Sequence, residues 1–178
     1  AGVVRAHQAA KVRGLPLLLG CNLALVDGPG LVVLAQDRER YGNLASLITQ
    51  GRRNAAKGTY RLSRADLDPG LPDCLALWLP GREPDPADGR WLAECLPGRV
   101  WIGVELHRTG ADGERLEQLR RLGASSGLPL VAAGGVLMHT QERRALQDTL
   151  TAIRLGVPLS AAGLALHQNG ERHLRTRA

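Results

Sequence analysis

The sequence predicts an alternating α/β fold with at least three parallel-type strands and one hairpin. Three observations carry this prediction. Short apolar runs alternate with longer stretches of helical periodicity, as in βα units sharing a sheet. The phrase Gly-Leu-Pro-Leu occurs at Gly14–Leu17 and again at Gly127–Leu130, each time between a helical stretch and an apolar run. Clusters of Gly, Pro and Asp punctuate the joints.

The elements follow in order. Residues 1–13 read as a helix ended by Gly14. Leu15–Leu25 reads as a strand, Val26–Gly30 as a turn, and Leu31–Ala35 as the return strand of a hairpin. Asp37 is placed to cap a helix running to about Arg53, with Tyr41, Leu44, Leu47 and Ile48 on its apolar side. Ser63 caps a short helix, and Asp73–Leu79 is a strand. Pro80–Asp88 is dense in Pro, Gly and Asp and reads as a protruding loop before a short helix, Gly89–Cys95. Arg99–Leu106 is a strand closed by His107, and Asp112–Ser126 is a helix with Leu116, Leu119 and Leu122 inward. Leu128–Ala133 is too short for a helix and reads as a strand with both faces covered. Gly134 and Gly135 free the backbone to turn. Thr140 then caps an amphipathic helix with Leu146, Leu150, Ile153 and Leu155 near helical spacing, stopped by Gly156 and Pro158.

The 178 residues suit one domain, long enough to bury about 70% of its unfolded surface. Aromatic residues make up only 3%, with no Phe, so Leu, Val, Ala and Ile must build the core. The formal net charge of +6 suits a phosphate-rich partner, and nearly as well a solvated basic surface with no partner. Cys21, Cys74 and Cys95 are widely spaced with no CxxC pair, which argues against a disulfide framework or structural zinc and for reduced thiols in the cytoplasm. No apolar run approaches the ~20 residues of a membrane span, and no secretory signal is visible, so no membrane partner is expected. The chain opens inside an apparent helix and reads as a fragment or a trimmed chain.

Chemistry in α/β folds concentrates at the C-terminal ends of strands. Two such ends carry donor groups here: Glu105 and His107 after one strand, and His139 after the glycine pair. These are the candidate metal or proton-transfer residues; the bland reading is a rim histidine and a solvent-paired glutamate. Arg52, Arg53, Lys57, Arg61 and Arg64 crowd a short span and are the candidate phosphate or DNA contacts; the bland reading is a solvated helix face and loop, since only Tyr60 is interleaved as a stacking partner.

Four blocks carry a family resemblance: Ala133-Gly134-Gly135-Val136-Leu137-Met138-His139 with Arg143–Gly156, Tyr41–Ile48 with Gly51-Arg52-Arg53, Lys57–Ser63, and His167–His173. They resemble the PHP domain at the N-terminus of bacterial C-family DNA polymerases, most closely the error-prone branch that copies damaged templates. The resemblance implies a partial distorted (βα) barrel of PHP type over residues 1–162, lacking its first strands, and a basic linker at 163–178 towards the polymerase body. In that family the strand exit reads Gly-Asp-Val-His-Met-His, where the Asp and the first His bind metal. Gly135 and Leu137 stand at those two places, and Asn22 stands where a glutamate ligand is usual. Glycine and leucine offer no donor, and an amide brings no charge, so affinity for zinc or manganese should fall steeply.

The resemblance therefore implies part of an error-prone DNA polymerase acting in DNA repair and translesion synthesis. This segment is expected to be a non-catalytic scaffold without a cofactor of its own. Polymerisation by the longer protein would use Mg²⁺ held by paired aspartates downstream of residue 178. The expected partners are the rest of the polymerase chain, DNA through that polymerase, and a second copy, because an open barrel exposes strand edges and should be marginally stable alone. Two alternatives stay open: a metal-dependent PHP phosphoesterase using Glu105, His107 and His139, and a generic βα-barrel module holding phosphate on the amides of Gly134 and Gly135.

Overall fold

The computed structural model describes residues 2–68, 71 and 73–176. The chain falls into two compact units, Ala1–Gly103 with Leu122–Leu130, and Val104–Arg121 with Val131–Ala178. The architecture is mixed α/β around a five-stranded open sheet in the order β1-β2-β3-β4-β5.

Helix α1 (Gly2–Arg13) opens the chain, followed by β1 (Leu19–Ala24) and β2 (Gly30–Ala35). These two strands form the expected hairpin, antiparallel, with Leu19 opposite Ala35 and Ala24 opposite Gly30. The strand foreseen from Leu15 begins four residues later. Leu15, Leu17 and Leu18 are exposed, and no ladder pairs them. Pro16 lacks the donor a ladder needs, which accounts for the late start.

Helix α2 (Arg38–Arg53) starts where Asp37 caps it, the carboxylate accepting from the Arg40 amide at 2.9 Å. Its buried residues include Leu44 and Leu47, whereas Tyr41 stays exposed. At α3 (Arg64–Leu67) the Ser63 amide and hydroxyl both donate to the Asp66 carboxylate at 2.8 Å, and these bonds hold that carboxyl below its usual range. The expected strand within Asp73–Leu79 is β3 (Leu75–Trp78).

Helix α4 (Pro86–Cys95) departs from expectation by starting three residues early. Asp85 accepts from the Ala87 amide at 2.8 Å, and Pro86 takes the first helical position, where a missing N–H costs nothing. The protruding loop is shortened accordingly. After β4 (Val100–Val104) comes α5 (Asp112–Ser126), whose bounds are those expected.

Strand β5 (Leu130–Ala132) is shorter than foreseen, and Val131 and Ala132 are exposed. The expectation of a strand covered on both faces fails. The apolar run there reflects β-propensity rather than burial.

Strand β3 lies antiparallel to β2 and parallel to β4. The Ile102 amide donates to Pro129 and the Ala133 amide to Val104, so numbers rise together along β4 and β5, as in a parallel pair. Three parallel strands and one hairpin are therefore present, as read from the sequence. A closed barrel is not seen among the described residues.

In the first unit the core is a ladder of cross-strand neighbours. Leu31 pairs with Trp78, which pairs with Ile102; Val33 pairs with Ala76, which pairs with Val100. All six are buried. Each fully buried aliphatic chain contributes about 1.5–3 kcal/mol relative to exposure. Helix α4 lies close against this layer: a Cβ added at Gly89 would meet the Trp78 ring at 2.8 Å and Ser126 Cβ at 2.6 Å. Among the described residues no helix is long and apolar enough to cross a membrane.

Candidate functional site

The second unit contains the strand ends where the donor groups gather. Beyond β5, Gly134 and Gly135 lead through Val136–His139 to a 3₁₀ turn (Gln141–Arg143) and α6 (Arg144–Leu155). Thr140 precedes that turn without a side-chain capping bond. Gly156 closes α6 with φ 69°, its N–H donating to Ala152 and Ile153.

The chain then returns beside this segment. The Leu137 and Met138 amides donate to the Arg172 carbonyl at 2.9 and 3.2 Å, and the Leu174 amide donates to Met138 at 3.1 Å. Met138 and His173 thus form a parallel bridge. This anchors the region expected to be a linker. Glu171 within it is buried; Arg175 bonds its carboxylate at 2.7 Å and Arg108 lies 3.6 Å away. The Arg175 hydrogen bond leads the causes that hold the Glu171 carboxyl below its ordinary range.

That returning segment delivers a guanidinium to the strand ends. Arg172 Nη1 donates to Glu105 Oε2 and to the Gly135 carbonyl, each at 3.2 Å. Both partners of the ion pair are three-quarters buried. Gly135 sits at φ 51°, and a Cβ there would collide with Arg172 Nη1 and lie 2.6 Å from Glu105 Oε1. The absence of a side chain at 135 is what lets the pair form. Burial lowers the pKa of nearby Arg115, and the Glu105 charge opposes that shift.

His107 is buried. Its Nε2 donates to the Gly134 carbonyl at 3.0 Å, and its own carbonyl accepts from Asn169 Nδ2 at 2.6 Å. One ring nitrogen is thereby committed to holding the glycine turn. His139 is exposed and lines a different cleft, of about 470 Å³, with Glu142, His173 and Arg175. Backbone and Thr140 bonds, aided by His173 and His139, hold the Glu142 carboxyl below its usual range. Among the described residues no hydrogen bond or ion pair joins His139 to Glu105 or His107, and no three His, Cys, Asp or Glu side chains converge as metal ligands would. Leu137 is exposed.

The remaining candidates lie in the first unit. Asn22 is exposed on β1, opposite Val32. Arg52 donates to the Thr59 carbonyl at 3.2 Å and lies over the Tyr60 ring, 5.8 Å from its centre. Arg53 borders a cleft of about 500 Å³ on α2. Lys57 and Arg61 are exposed. Arg64 is different in kind: it stacks on Trp91 at 4.7 Å, donates to the Asp27 carbonyl at 2.8 Å and pairs with Asp88. It ties loops together, which leaves four of the five cations facing solvent. All three cysteines are free, and burial pushes each thiol up.

Sequence reasoning missed Arg172 and Glu171. The only available signal was one acidic residue, Glu171, set among Arg172, His173 and Arg175, and nothing in that pattern indicates a return to the strand ends.

No family model matches the chain. Curated relatives do. The error-prone DNA polymerase of Methylococcus capsulatus is 57% identical over 176 residues, 98% of this chain and 17% of the relative. That of Dechloromonas aromatica is 55% identical over 182 residues, 99% and 18% respectively. That of Pseudomonas aeruginosa is 52% identical over 176 residues, 99% and 17%. The chain thus spans less than a fifth of the length of these relatives.

Proposed function

We propose that this chain is part of an error-prone DNA polymerase and serves within it as a non-catalytic scaffold of PHP type, in DNA repair and translesion synthesis in the cytoplasm. The matches above, between 52% and 57% identity over nearly every residue, support the polymerase part of this reading. Nucleotidyl transfer would then belong to Mg²⁺ and aspartates in the remainder of the polymerase.

One observation carries the scaffold part: the Arg172–Glu105 ion pair closed over Gly135. A hydrolytic cluster needs several carboxylates and imidazoles around its ions. Here the candidate carboxylate, Glu105, pairs with a guanidinium, and the candidate imidazole, His107, bonds a carbonyl. Among the described residues these two engagements speak for a scaffold rather than a polynuclear metal site.

The test is metal content and hydrolysis together. Purified chain, equilibrated with zinc or manganese and desalted, should retain substoichiometric metal and should not cleave a phosphodiester or a DNA 3′ end. Stoichiometric metal, with hydrolysis abolished by His107→Ala, would overturn the scaffold reading and favour a phosphoesterase.

A further inference from the structure

Helix α6 turns the usual arrangement round. Its buried residues are Thr151 and Ala152, while Leu146, Leu150 and Ile153 are 51%, 52% and 69% exposed. Spacings of four and three place those three side chains in one stripe. Leu137, 46% exposed, joins Leu146 and Leu150 in lining a cleft of about 410 Å³ over buried Met138. Together these exposed side chains make an apolar patch of the kind that often serves as a contact site on a folded unit.

The rim identifies what fits. Arg143, at the N-cap of α6, lines the cleft with Leu146 and Leu150, helical spacing sets Arg154 beside the stripe near its other end, and among the described residues neither forms an ion pair. Arg144, by contrast, lies 3.5 Å from Asp148. An antiparallel two-fold pairing of α6 with a copy of itself would set these arginines against each other. A parallel pairing would align the two helix dipoles unfavourably. A second copy is thus a poor occupant, and an apolar segment edged with carboxylates is a good one.

We infer that the stripe Leu146–Leu150–Ile153, with Leu137, is the docking face for an acidic amphipathic helix from elsewhere in the same polymerase. The inference rests on the proposed function in one respect, that the chain works inside a longer polymerase. The relatives supply the room for such a helix, since more than four-fifths of their length lies outside the match.

Side-chain labelling by hydroxyl radicals tests it. The reactivity of Leu146, Leu150 and Ile153 is compared between the isolated chain and a chimera in which this chain replaces the matched residues of the Methylococcus capsulatus polymerase. Expected is fast labelling in isolation and several-fold slower labelling in the chimera. Arg143→Glu with Arg154→Glu should restore fast labelling in the chimera while leaving the melting temperature of the isolated chain unchanged. Equal labelling in both contexts overturns the inference. So does protection that appears in the isolated chain as concentration rises, which would assign the face to a second copy. If the chimera does not fold, the same comparison on the Methylococcus protein, matched region against full length, decides the question. Labelling is independent of metal, so a chain found to hold a metal cluster would sink the scaffold reading and leave this one standing.

Discussion

Gly135 shows how one missing side chain can determine the character of a site. Its carbonyl accepts from Arg172, its φ is positive, and the space beyond its Cα is filled by the guanidinium and the Glu105 carboxylate. Any substitution there meets both backbone and steric resistance. Gly135→Ala is therefore expected to destabilise the protein by roughly 1–3 kcal/mol in urea unfolding. Gly134→Ala should cost less, because an added Cβ there would approach only the Val136 methyl, at 3.1 Å. Equal losses at the two positions would show that the ion pair gives way easily. The sequence displayed the gap at position 135 plainly. It could not display what fills the gap, because Arg172 arrives from 37 residues away and is held by backbone pairing with Leu137 and Met138.

At the scale of elements, legibility followed local chemistry. Helix α2 was readable because its cap and its periodicity agree, and α5 from the helical spacing of Leu116, Leu119 and Leu122. Helix α4 was misjudged at its start because Asp-Pro-Ala-Asp reads equally as loop or as a capped first turn. The Asp85 bond to Ala87 decides between them. Strands β1 and β5 were overextended because an apolar run records what could be buried, not what is. The stripe of α6 was visible from sequence, and its outward direction was not, since periodicity gives a face and no heading. Packing of α4 supplies a test of how tightly the first unit is built. Gly89 leaves no space before Trp78 and Ser126, so Gly89→Ala, which would raise helix propensity by about 1 kcal/mol on an exposed helix, is expected here to cost roughly 1–3 kcal/mol from overpacking. A thermal melt that rises instead of falling would show that α4 can move away from the sheet.

For the whole molecule, the open sheet matters most. Strand β1 ends the strand order, and it carries no charge and no proline. Natural edge strands usually have such a residue to discourage pairing with another chain. Asn22 and Gly20 are exposed along it. The net charge of +6 opposes association at long range, but that repulsion is screened beyond about 8 Å at physiological ionic strength. The isolated chain is therefore expected to self-associate as salt is raised, through β1 rather than through the arginine-flanked stripe of α6. Sedimentation velocity at low and high salt would read this. Asn22→Lys, which adds the charge that edge strands commonly carry, should shift the distribution towards monomer, whereas Leu150→Glu should leave it where it was. Association that instead responds to Leu150→Glu would move the contact to α6, and a chain monomeric at every salt concentration would mean that the edge is already guarded.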